Sequence, residues 1–149
     1  MLPPRSFALV TGSYRGLGRA IAHRLARDGM AVAVNDAGGG ERARAVAADI
    51  RAEGGVGDAF GADVTDERQA VRLAEAVAAA LGPIDVLVLN ATGPQPEAPL
   101  EEVGWGDHLD QLEFFVKSPI LLGRAVVAGM RRRRYGRICL LYTSPSPRD

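Results

Sequence analysis

Several residue types are scarce in this 149-residue chain, and each scarcity excludes something. Cysteine occurs once, at Cys139, so no internal disulfide can form. The two histidines, His23 and His108, are far apart and make a poor metal set, so no metal site is expected. Neither charge sign is in excess, since 18 Lys+Arg balance 18 Asp+Glu and the pI is near 6.7. Nucleic-acid binders usually carry a basic surplus, and that partner class is not expected here. No apolar run approaches the roughly 18 residues of a membrane-spanning helix. The opening Met1-Leu2-Pro3-Pro4-Arg5 lacks the apolar centre of a secretory leader. The expectation is a soluble, cytoplasmic chain. Lysine is represented by Lys117 alone, so chemistry that needs an amine has one candidate. The remainder, 47% hydrophobic with 18 glycines, is the composition of an ordinary globular domain.

Short β-rich runs alternate with longer stretches of helical period. Phe7-Ala8-Leu9-Val10 is a continuous apolar run that stops at Thr11-Gly12, as a buried parallel strand does. Leu17, Ala20, Ile21 and Leu25 then mark one face of a helix over 16–28, closed by Gly29. A second strand, Ala31 to Val34, ends at Asn35-Asp36. A helix over 41–53 and a weakly marked strand over 58–61 follow. Thr65-Asp66-Glu67 supplies an N-cap and first-turn acids for a third helix, which Gly82-Pro83 stops. Ile84 to Leu89 is the strongest strand signal. A Pro-rich loop leads to a helical stretch over 107–130, where Pro119 is expected to kink or divide it. Arg137 to Leu141 reads as a fifth strand. This alternation predicts an α/β fold with a doubly wound parallel sheet, whose ligands bind beyond the carboxyl ends of the strands.

The residues just after each strand therefore carry the functional reading. Thr11-Gly12-Ser13-Tyr14-Arg15-Gly16-Leu17-Gly18 is a G-x-x-x-G-x-G loop placed between a strand and a helix. Glycine there allows close approach of a phosphate to backbone amides at a helix N-terminus, although glycines also serve plain turns. Asp36 ends the second strand, 20 residues beyond Gly16. An acid in that place accepts the ribose hydroxyls of an adenosine and repels a 2′-phosphate, which favours NAD over NADP. The bland alternative is a solvated turn aspartate. Arg15 points the other way, because a guanidinium beside the adenosine receives a 2′-phosphate. The larger weight falls on Asp36.

With Ala62-Asp63-Val64 after the third strand and Asn90-Ala91-Thr92-Gly93 after the fourth, the chain resembles the short-chain dehydrogenase/reductase family, and most of all its 3-oxoacyl-carrier-protein reductase-like members. The resemblance runs from about residue 6 to 138. It implies a Rossmann-type fold and an NAD(P)-dependent oxidoreductase acting on a small carbonyl or alcohol, in a parent protein that is a homo-oligomer. It further implies that Gly12, Gly16 and Gly18 line the pyrophosphate, with Ser13, Arg15 and Leu17 around the adenosine phosphates and nicotinamide. Asp63 and Val64 would border the adenine. Asn90, Ala91 and Thr92 would run beside the nicotinamide ribose, with Asn90 also joining the central strands. An Asp63 that merely caps the turn before Thr65 is the plainer alternative.

The family's Tyr-x-x-x-Lys pair and preceding serine are not found in this chain. Four residues beyond Tyr14, Tyr135 and Tyr142 stand Gly18, Cys139 and Ser146, and four before Lys117 stands Glu113. No catalytic residue is assigned, and no hydride transfer is expected of the chain as it stands. The family's helix asparagine is also missing, its place taken by Phe115 or a close neighbour. Residues 1–138 are read as the dinucleotide-binding domain, and 139–149, with its Ser-Pro-Ser-Pro ending, as a tail. That tail resembles translated adaptor read-through on a C-terminally truncated fragment, and a natural short form with a disordered end is the alternative. The family serine would fall at Thr143, with Ser144 one place late. The arginines 131–134 are read as complements to a helix C-terminus rather than a nucleic-acid patch. Trp105, Phe114 and Phe115 are read as packing or interface residues. A non-catalytic dinucleotide-binding module or sensor is the alternative function.

Overall fold

The computed structural model describes residues 6–95 and 97–141. Among the described residues five strands are formed: β1 Phe7–Val10, β2 Ala31–Asp36, β3 Val56–Gly61, β4 Val86–Leu89 and β5 Arg137–Leu140. They pair in parallel in the order β3-β2-β1-β4-β5. The helices are α1 Gly16–Arg27, α2 Glu41–Ala52, α3 Glu67–Ala80, α4 Trp105–Leu112 and α5 Ser118–Arg133. The doubly wound α/β arrangement expected from the alternation is the one observed.

Both faces of the sheet are covered, which explains why β1 and β4 are apolar without alternation. On one face Ala8, Val10, Val32 and Val34 pack with Ala22 of α1 and with Ala43, Val46, Ala47 and Ile50 of α2. On the other, Leu9, Ala33, Leu87 and Leu89 meet Ala70, Leu73 and Val77 of α3 and Leu121, Leu122 and Val126 of α5. Leu9, Leu87 and Leu122 are fully buried, and each such side chain contributes about 1.5–3 kcal/mol relative to exposure.

Three of the departures from the sequence expectation have a clear local reason. β3 starts earlier, at Val56, because β2 pairs with it along its whole length, from Ala31↔Val56 to Asp36↔Gly61. β4 starts later, at Val86, although Asp85 already donates its amide to the carbonyl of Phe7 at 2.8 Å. The stretch over 107–130, expected to be kinked or divided at Pro119, is divided into α4, a π-helical turn Glu113–Lys117, and α5. Pro119 supplies no N–H and so removes one helical hydrogen bond, and the helix widens by one turn just before it.

At the opposite end of the sheet from the Gly-rich loop, Asp85 is buried. Its carboxylate accepts from the amide of Phe7 at 3.3 Å and from the Arg133 guanidinium at 3.2 Å, which also donates to the carbonyl of Ile84 at 2.8 Å. One member of the arginine run is thus spent on tying α5 to the start of β4. β5 is an edge: Ile138 and Leu140 are 47% and 45% exposed, and β4 is its neighbour among the described residues. Cys139 and Leu140 pair with Val88 and Leu89, so the strand runs past residue 138. Tyr142, Thr143 and Ser144 lie outside the described residues. Among the described residues no helix is long and apolar enough to cross a membrane, and no His/Cys/Asp/Glu group could hold a metal ion.

Candidate functional site

β1 has β2 on one side and β4 on the other, so the strand order reverses there and a crevice opens beyond the carboxyl ends of β1 and β4. The loop from Thr11 to Arg15 and the segment from Asn90 form its walls, and a hydrogen-bond lattice joins them. The Thr11 hydroxyl accepts from the amides of Asn90 and Ala91, both at 3.0 Å. The Asn90 side-chain amide donates back to the carbonyls of Thr11 and Gly12, at 2.9 and 3.2 Å.

From the β2 side, Asn35 holds the same loop. Its Oδ1 accepts from the amide of Gly12 at 3.1 Å, and its backbone carbonyl accepts from the amide of Ser13 at 2.9 Å. Its Nδ2 reaches the carbonyls of Asp36, Phe60 and Ala62 at 3.1–3.2 Å, joining the Gly loop to the end of β3. Ser13 is fully buried in this lattice, donating to the carbonyl of Val10 at 2.7 Å and accepting from the amide of Asn35 at 3.0 Å.

Glycine is required in the loop on two grounds. Gly12 and Gly16 have φ of +60° and +54°, a region where side chains are strained. At Gly18 the constraint is space: a Cβ there would overlap Nδ2 of Asn90 and lie 2.9 Å from the carbonyl oxygen of Gly12. α1 begins at Arg15 as N-cap with no side chain capping it, so its first-turn amides depend on water or a ligand for partners.

A cavity of about 280 Å³ occupies the crevice. Of the residues expected at the site, Gly12, Arg15, Gly16, Leu17, Gly18, Asp63, Val64, Asn90, Ala91 and Thr92 line it. Ser13 and Asp36 do not. Asp36 is 1% exposed, and one carboxylate oxygen accepts from the amide of Ala43 at 3.0 Å. The cause is α2, whose N-cap is Gly40: with no side chain of its own to cap the helix, the first turn takes the Asp36 carboxylate, which the helix dipole also favours. Asp63 is a turn cap that also faces the cavity. It lines the cavity, and its Oδ1 accepts from the amide and hydroxyl of Thr65 at 2.9 and 2.7 Å.

Further lining residues escaped the sequence reading: Tyr14, Asn35, Ala37, Arg42, Ala62 and Phe114. A signal existed for Asn35, an amide closing an apolar strand. Arg42 gave none, because it is brought from α2 to Tyr14 across space. Phe114 was read as packing, and it does pack: its ring lies where a Cβ on Gly93 would be 2.5 Å away. Lys117 is exposed on the helix surface, where its hydrogen bond to Glu113 at 2.6 Å raises its pKa above the usual lysine value.

The crevice suits a dinucleotide on its own evidence. An uncapped helix N-terminus and a backbone cradle that a Cβ at 18 would fill are what a pyrophosphate requires. Fold and site together define a Rossmann-type α/β protein with its Gly-rich loop at the switch in strand order.

The chain belongs to the short-chain dehydrogenase family, whose profile matches residues 6–143. It is similar to the 3-oxoacyl-(acyl-carrier-protein) reductase FabG of Staphylococcus aureus, with 42% identity over 105 residues, 69% of this chain and 43% of that protein. Gluconate 5-dehydrogenase of Gluconobacter oxydans is 37% identical over 131 residues, 88% of this chain and 50% of that enzyme. Among solved structures, a metagenomic short-chain oxidoreductase in complex with NADP superimposes with a TM-score of 0.85 at 32% identity, covering 93% of this chain and 62% of that one. A blue fluorescent protein from a metagenomic library, in complex with NADPH, gives 0.80 at 35% identity, covering 91% and 54%. The chain spans about half the length of the curated relatives it matches, 43% and 50% in these two cases.

Proposed function

We propose that this chain supplies the nicotinamide-dinucleotide site of an oxidoreductase that moves hydride between the cofactor and a carbonyl or hydroxyl carbon of a small molecule. The observation that carries the proposal is the uncapped N-terminus of α1 opening into the crevice, with glycine at 12 and 18 where a Cβ meets backbone or Asn90. The reductase and dehydrogenase names of the relatives support the reaction class, and the NADP and NADPH complexes among the solved structures support the cofactor class. In this reading residues 1–138 are the dinucleotide-binding unit.

When bound, the nicotinamide supplies the hydride chemistry, and the protein supplies binding and geometry. The first-turn amides of α1, at Gly16, Leu17 and Gly18, receive the diphosphate. Asp63 and Val64 border the adenine, and Asn90, Ala91 and Thr92 flank the nicotinamide ribose. Proton transfer to the substrate oxygen needs an acid within hydrogen-bond reach. The 149 residues contain no Tyr-x-x-x-Lys pair, so this chain binds the dinucleotide without turning substrate over.

Titration of the chain with NADPH and NADH, followed by nicotinamide fluorescence, tests the site, and nicotinamide absorbance with a panel of ketones tests turnover. Saturable binding without turnover is expected. Absence of binding to either dinucleotide overturns the site, and measurable turnover overturns the claim that the acid is missing. A second reading is a non-catalytic dinucleotide-binding module or sensor, which needs the Gly-rich loop alone. A sensor would change its association state on binding, which sedimentation with and without the dinucleotide reads directly.

A further inference from the structure

We propose that the groove between α3 and α5 is a second ligand site, which takes a medium-chain aliphatic carboxylate with its head group on Arg132 and Arg133. The groove shares no lining residue with the crevice, so this inference stands independently of the dinucleotide reading. Leu73 and Val77 of α3 and Leu122 and Val126 of α5 turn into the core and set the two helices side by side. Outside that layer the facing positions are small. Ala74 and Ala78 line the groove from α3, and Ala125 and Gly129 line it from α5, each pair four residues apart on one helix face. Such short side chains leave the space between the helices unfilled. A cavity of about 340 Å³ results, with the buried side chains of Ile84 and Val126 among its lining. Val71, which is exposed, extends the apolar wall. From Val71 to Ala78 the helix rises about 10 Å, the reach of an extended alkyl chain of about eight carbons.

The charges give the groove a direction. Arg133 is held in place through Nη2, which donates to the carbonyl of Ile84 at 2.8 Å and to Asp85 at 3.2 Å, and these contacts leave its Nε and Nη1 for a ligand. Arg132 makes no ion pair among the described residues. The two guanidiniums converge over Gly129: a Cβ there would stand 3.0 Å from Nη1 of Arg133 and 4.0 Å from Nη2 of Arg132. Glycine inside a helix is unfavourable relative to alanine, and here its missing side chain keeps the approach to both cations open. Asp85 balances the charge of Arg133, so one positive charge is left over, which matches a singly charged carboxylate. The carbonyl ends of α3 and α5 carry only partial negative charge at this end, and a full guanidinium charge outweighs it. Glu75, the acid of the groove, precedes Ala78 on α3 and so lies toward the other end, where it repels an anionic head group and fixes the ligand's orientation.

The test is backbone amide NMR of the chain titrated with butanoate, hexanoate, octanoate, 1-octanol and octylammonium. Octanoate should give saturable shifts centred on Ala74, Ala78, Ala125 and Gly129. Affinity should rise about two- to fourfold per methylene from butanoate to octanoate. Octanol should bind about tenfold more weakly than octanoate, for want of the charge-assisted hydrogen bonds, and octylammonium should not bind there. Arg132→Glu, a change at an exposed position, should weaken octanoate about tenfold or more and alter octanol by less than about twofold. Ala78→Phe fills the groove and should abolish binding of both. Absence of saturable shifts, equal affinity for octanoate and octanol, or an Arg132→Glu variant that binds octanoate as before overturns the proposal. Sedimentation that shows self-association lost in Ala78→Phe, with no octanoate bound, overturns it in favour of a second copy of the chain as the occupant.

Discussion

Replacing Asn35 tests whether the Gly-rich loop is held from β2 in the way the structure shows. The side chain is 1% exposed, and its amide has two N–H groups to share among three carbonyls, those of Asp36, Phe60 and Ala62. Its Oδ1 meets the amide of Gly12 at 3.1 Å. Asn35→Ala removes roughly three hydrogen bonds at about 1 kcal/mol each, so the expected loss is about 3 kcal/mol. That is a large part of the about 5–15 kcal/mol that keeps a domain folded. Asn35→Asp is nearly isosteric and keeps the acceptor for Gly12, yet it turns an acceptor toward three carbonyl oxygens and buries a charge without a partner. At neutral pH it should be worse than Asn35→Ala by about 2 kcal/mol or more. Protonation restores one donor. The introduced carboxyl's pKa is therefore higher folded than unfolded, and its contribution is intact at low pH and lost as pH rises through the folded value. Urea unfolding followed by far-UV circular dichroism, near pH 5 and near pH 8, reads both effects. An Asn35→Asp variant no worse than Asn35→Ala at neutral pH, or a gap between them that ignores pH, would refute the reasoning.

Other outcomes follow from the same contacts. Gly18→Ala places a Cβ against Nδ2 of Asn90 and 2.9 Å from the carbonyl oxygen of Gly12; about 1–3 kcal/mol of stability should be lost on unfolding, with dinucleotide binding weakened in titration. Burial alone would raise the pKa of Glu53, but His23, whose Nδ1 lies 3.2 Å from Oε1, and the Arg27 guanidinium, which donates to Oε2 at 3.2 Å, outweigh it and hold the carboxyl below its usual value. Stability should accordingly fall as the solution is acidified through the carboxylate range, and an acid titration of Glu53→Gln followed by circular dichroism should show a shallower decline. The edge strand β5 presents Ile138 and Leu140, 47% and 45% exposed; Ile138→Lys should reduce aggregation measured by light scattering. Trp105, Leu109, Leu112, Val116 and Ile120 form an exposed apolar stripe along the helices after β4. We propose that the stripe mediates self-association, and Leu109→Glu with Val116→Glu should shift sedimentation toward the monomer.

The strands that position the site were readable because burial on both faces leaves a continuous apolar run, as in Ala8 to Val10 and Val86 to Leu89. β3 was readable only in part: Val56-Gly57-Asp58 has no apolar pattern, and its pairing with β2 is what makes it a strand. The loop glycines were legible because backbone chemistry dictates their type and spacing, whereas Asn90 was singled out through the family resemblance. The direction of the Asp36 side chain was not, because it is decided by Gly40, which leaves α2 without a cap and turns the carboxylate inward. Arg42 was invisible for a related reason. A surface arginine in an Ala- and Arg-rich helix looks like solvated charge until the fold brings it 3.9 Å from the Tyr14 ring centre.

Backbone amide NMR of the chain, titrated with NADPH, addresses the central claim most directly, since the proposed contacts are largely main-chain. The account predicts saturable shifts concentrated at Gly12, Gly16, Leu17, Gly18, Asp63 and Ala91, with α2 responding near Arg42. No shift at any concentration, or shifts confined to the groove between α3 and α5 around Val71 and Gly129, would contradict it.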